Sequence, residues 1–160
     1  EGNQHIASGD DIFLLEKFKK AFPQKVNYLK SIDATVLTSA QKNWKLFLNQ
    51  QLRWASKTGA YKNGFAKFVG IIVFLMNFSL ILTLASTIIL PNYWNLFLIL
   101  FSLKLLVDYL LIFKTASFLK SKKLLNYYLA IAIVYPFFIV FTACLTSFKS
   151  YQWKGRNFNK

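Results

Sequence analysis

The run 68–90 holds 23 residues without one charged side chain. At ~1.5 Å per residue a helix of that length crosses the ~30 Å of hydrocarbon in a bilayer. Two further apolar runs follow, at about 93–113 and 124–148. A chain with three such runs is expected to place 68–148 in a membrane, because inside lipid only helices and closed barrels satisfy their own backbone. The predicted class is therefore a mainly α membrane protein with about three transmembrane helices.

Charge is distributed to match. Residues 1–67 carry eleven of the 20 Lys and Arg and five of the six acids. The net charge of +14 fits cytosolic loops and anionic headgroups better than nucleic acid, since no basic run is interleaved with a base-stacking aromatic series. Lys114, Lys120, Lys122 and Lys123 sit between the second and third runs with no acid nearby. By the positive-inside bias this connection is cytoplasmic, as is the segment before the first run. The basic tail, 149–160, would then lie outside if the third run crosses once. It would stay inside if that run, interrupted by Tyr135-Pro136, turns back. In the second run Lys104 and Asp108 stand four apart, share a helix face, and are expected to pair against another span.

Ser8-Gly9-Asp10-Asp11 precedes a helix-forming run, 12–22, that Pro23 ends. Segments 26–30 and 34–37 read as short extended pieces. Thr38 and Gln41 have the spacing of a capping box for a helix from Ala40 to about Lys57. On that helix Gln50, Arg53 and Trp54 share one face, and Trp44, Phe47, Leu48, Leu52 and Ala55 lie mostly on another sector. An amide, a guanidinium that forks onto phosphate oxygens and a flat indole suit a site gripping a diphosphate and a sugar. The plainer reading is an amphipathic helix with a polar side. Residues 58–67 alternate aromatics with lysines and read as an amphipathic segment at the headgroups. Cys144 is the single cysteine and His5 the single histidine, so no disulfide can form within the chain and no cysteine zinc site is present.

The acidic pair, the Gln50-x-x-Arg53-Trp54 motif, the spans and the closing Trp153-Lys154-Gly155-Arg156, taken in order, resemble the membrane-bound family 2 glycosyltransferases. The cellulose- and hyaluronan-synthase-like enzymes are more distant relatives. The resemblance implies that 1–57 is the C-terminal part of a GT-A-type α/β catalytic domain, the chain being the C-terminal part of a longer protein that begins before Glu1. It implies inverting transfer from a nucleotide-sugar donor to a lipid-linked or glycan acceptor, on the cytoplasmic face of a bacterial inner membrane. Asp11 matches the general base and Asp10 the acid before it, although the family usually has Glu-Asp there. Gln50, Arg53 and Trp54 match the donor and acceptor motif, and Trp153, Lys154 and Arg156 the terminal one. A divalent Mg or Mn ion is implied, but the D-x-D that holds it in the family does not occur in this chain, so no metal ligand is assigned. The rival class is a non-enzymatic membrane protein whose basic segment scaffolds a partner or anionic lipid.

Overall fold

The computed structural model describes residues 10–58, 64–148, 151–153 and 156–158. They form five helices, α1 Asp10–Ala21, α2 Trp44–Thr58, α3 Gly64–Ile89, α4 Trp94–Phe118 and α5 Tyr128–Phe148, and a hairpin of β1 Tyr151–Trp153 with β2 Arg156–Phe158. The chain divides into two compact units. One comprises residues 1–72 and 142–160, the other residues 73–141.

Three helical segments, Gly64–Ile89, Pro91–Phe118 and Lys122–Phe148, are long and apolar enough to cross a membrane. Most of their large apolar side chains are exposed, Ile99, Leu106 and Leu111 among them. That is the surface a helix presents when its solvent is hydrocarbon. The chain is a mainly α membrane protein in contact with membrane lipid.

The polar connections are built from local hydrogen bonds. Pro91 opens a single 3-10 turn, Pro91–Tyr93, where its missing N–H costs nothing, and the Tyr93 amide donates to the Leu90 carbonyl at 3.0 Å. At the end of α4 the chain passes through the left-handed region at Lys120, φ 54°. There the Ser121 amide reaches back to the Ala116 carbonyl at 2.8 Å, closing the helix end. Helix α4 thus runs past Lys114, beyond the boundary that charge alone indicated, and a 3-10 stretch Lys122–Tyr127 leads into α5.

Two local expectations are corrected, and one of two alternatives left open at Pro136 is removed. Helix α2 starts at Trp44, not Ala40, because Asn43 rather than Thr38 caps it: its Oδ1 accepts the Leu46 amide at 2.9 Å. Residues 26–30 and 34–37 are not strands. The Thr35 amide bonds the Ile32 carbonyl at 3.0 Å and the Asp33 amide bonds Ser31 Oγ at 3.2 Å, so 31–35 folds as a turn. A strand needs a neighbour to fill its backbone groups, and neither piece has one among the described residues. Finally, α5 continues through Pro136 as one helix, so the third run does not turn back there. A proline in a membrane helix forfeits one backbone bond, and packing around it can absorb that loss; Pro136 itself is buried.

The segment 58–67 lies partly outside the described residues; its last part, from Gly64, is already the first turn of α3.

Candidate functional site

Within the first unit, α1 begins at Asp10, and Asp11 is exposed on its first turn. Phe13 is the buried anchor of this helix, and Pro23 lies just beyond its end. A carboxylate in the first turn is favoured by the helix dipole and stays open to a ligand.

On α2 the side opposite the motif is held by Leu52, 5% exposed. That burial fixes the rotation of the helix and leaves Gln50 and Arg53 half-buried, with Trp54 49% exposed. The three side chains share a face, as their spacing predicts. Trp44 departs from expectation. Read as part of the greasy side, it is 80% exposed and its ring stands edge-on to Phe47 at 5.7 Å. It lies in the first turn, beyond the stretch that Leu52 pins.

The hairpin belongs to the same unit. Trp153 pairs with Arg156 and Tyr151 with Phe158 in antiparallel register. Strand β1 packs against α2. Trp153 therefore lies on a strand beside the helix of Gln50, Arg53 and Trp54, while Lys154 falls outside the described residues. Among the described residues α1 and α2 make no extended helix–helix packing. No group of three His, Cys, Asp or Glu side chains suited to a metal ion occurs among the described residues.

The second unit holds a polar layer that composition did not disclose. Lys104, 6% exposed, donates to Asp108 Oδ2, and its ammonium lies 5.3 Å from the centre of the Tyr135 ring on α5. The Tyr128 hydroxyl donates to the Leu105 carbonyl at 2.6 Å, and its ring meets Tyr109 edge-on at 5.4 Å. The Asn77 side chain, 2% exposed on α3, donates through Nδ2 to the Val73 carbonyl at 2.7 Å. The expected pair therefore exists and faces another helix. Tyr128, Tyr135 and Asn77 were not singled out by sequence. An amide in the middle of a charge-free run was the one available signal.

No protein family, curated protein sequence or solved structure matches the chain.

Proposed function

We propose that the chain carries part of a membrane glycosyltransferase of GT-A type that transfers a sugar, with inversion, from a nucleotide sugar to a lipid-linked or glycan acceptor. The observation that supports this reading is the packing of β1 on α2. Two of the three motifs that resemble the family lie at distant points of the sequence, and the fold sets their backbones side by side.

The roles follow from the chemistry. Asp11 takes the proton of the acceptor hydroxyl as its oxygen attacks the anomeric carbon. The bond from that carbon to the diphosphate oxygen breaks, and the departing diphosphate takes the electron pair. Arg53 meets the negative charge that develops there. Trp54 presents its ring to the acceptor sugar, and Gln50 orients a hydroxyl or its neighbours. Asp10 supports Asp11. A divalent cation supplies further charge neutralisation to the diphosphate in enzymes of this kind; the described residues offer no donor set that fits it, so no step is assigned to it here. The reaction takes place on the cytoplasmic face of a bacterial inner membrane, the side the lysine-rich connection indicates. Three long helices are few for a polymer channel, which favours single transfers.

Arg53→Lys tests the reading, because it keeps the charge but loses the fork onto two oxygens. Turnover with the nucleotide sugar should fall by ~10-fold or more, on the scale of a lost charge-assisted hydrogen bond. Trp54→Ala should chiefly raise the acceptor KM. If both variants keep normal kinetics and only unfold more readily, α2 is a plain amphipathic helix.

A further inference from the structure

Helix α1 carries two apolar sides. At about 100° per residue Phe13 points one way and is buried, while Leu14, Leu15, Phe18 and Phe22 fall within a sector of about 100° on another side. Phe22 stands one residue beyond the helix, yet its amide donates to the Phe18 carbonyl at 2.7 Å and keeps the helical phase. These four side chains are 49–53% exposed. The helix therefore packs inward through Phe13 and leaves a second, continuous stripe uncovered. Single exposed apolar residues are ordinary on a protein surface, whereas a contiguous stripe marks a contact.

Cations border the stripe. Lys17 lies next to its Leu14 edge and Lys19 next to its Leu15 edge, and both are exposed. The Lys25 ammonium stands 5.8 Å from the centre of the Phe22 ring, at the C-terminal end. Asp11, the one acid on this side, lies at the N-terminal end, and the spacing turns Glu16 to another side. Helix α1 also belongs to the same compact unit as residues 64–72, the start of the first membrane helix. A bilayer surface is thus within the reach of this unit.

We infer that α1 lies in the plane of the membrane. Leu14, Leu15, Phe18 and Phe22 enter the acyl boundary of a leaflet that contains anionic phospholipid, and Lys17, Lys19 and Lys25 meet the headgroup phosphates. Charge complementarity selects this occupant: an apolar stripe edged by lysines fits a surface that is hydrocarbon below and anionic above. The long lysine stems follow the apolar surface while the ammonium groups rise to the phosphates. The inference does not depend on glycosyl transfer.

The test uses the full chain in lipid nanodiscs, with Cys144→Ser to remove the single thiol. A nitroxide is attached at Leu15→Cys on the stripe, or at Lys20→Cys on the far side, and its collisions with oxygen and with a water-soluble nickel chelate are measured. In discs of phosphatidylcholine with phosphatidylglycerol, the label at 15 should be open to oxygen and shielded from nickel, and the label at 20 open to nickel. Each lysine near an anionic surface strengthens such a contact about fivefold. Lys17→Gln, Lys19→Gln and Lys25→Gln together should therefore lower the docked-to-free ratio by on the order of 100-fold and open 15 to nickel. Discs of phosphatidylcholine alone should do the same to the chain with its lysines intact, a measurement that no misfolded variant can distort. A label at 15 open to nickel in the anionic discs means water covers the stripe, and one shielded from both reagents means protein does; either overturns the docking. A label at 20 as shielded from nickel as the one at 15 overturns the orientation. Shielding that survives either the triple substitution or the loss of anionic lipid overturns the role of the three lysines.

Discussion

The ammonium of Lys104 on α4 stands 5.3 Å from the centre of the Tyr135 ring on α5 and also pairs with the Asp108 carboxylate. One cation is thus held by a carboxylate on its own helix and by a ring on the next. The pair neutralises two charges that would otherwise each cost roughly 2.5–3.5 kcal/mol near the middle of a bilayer.

Removing one member strands the other. Lys104→Leu or Asp108→Leu alone should lower the yield of folded, membrane-inserted chain more than the double substitution does. Counting protease-resistant chain in washed membranes checks the order. If the double variant inserts normally but loses sugar transfer, the pair belongs to the transfer site.

The cap of α2 gives a second outcome. Asn43→Ala removes the acceptor for the Leu46 amide and should cost ~1 kcal/mol of helix stability, whereas Asn43→Asp should be nearly neutral. Thr38→Ala should change nothing. Thermal melts of the purified chain in lipid discriminate the two caps, and a larger loss for Thr38→Ala would restore the earlier start of the helix.

These two cases show what the sequence made legible. The spans follow from long charge-free runs, because lipid admits no other backbone solution. The Lys104–Asp108 pair follows from spacing alone, since i and i+4 always share a face. The partner ring of Tyr135 does not, because the rotation of α5 is set by packing that no local pattern encodes. The extended reading of 26–30 and 34–37 failed for the same reason. Tyr28, Leu29, Val36 and Leu37 have strand-like character, yet all are exposed, and a strand exists only with a neighbour. In the candidate site the shared face of Gln50, Arg53 and Trp54 was readable, but the approach of β1 to α2 is a long-range contact that no local pattern encodes.

The hairpin supplies a third outcome. Segments in contact lie on one side of a membrane, and β1 packs on α2; three full crossings by α3, α4 and α5 would set the two on opposite sides, so the packing requires that one of the three apolar helices does not cross. Cysteines placed at Ser39 and at Asn159, in a Cys144→Ser background, should therefore react alike with a membrane-impermeant maleimide. Protection of both in intact cells, with labelling after lysis, puts them in the cytoplasm. Opposite labelling would mean an odd number of crossings between them and would remove the tail from the site.

The central claim is that Asp11 is the base of a glycosyl transfer. Membranes from cells expressing the complete gene product are incubated with radiolabelled UDP-glucose, UDP-galactose, UDP-N-acetylglucosamine or GDP-mannose in the presence of magnesium or manganese, and label is followed into lipid and glycan fractions. The account predicts transfer from at least one donor, and a loss of at least ~100-fold in Asp11→Asn with donor binding nearly unchanged. Transfer by Asp11→Asn at the wild-type rate would contradict it.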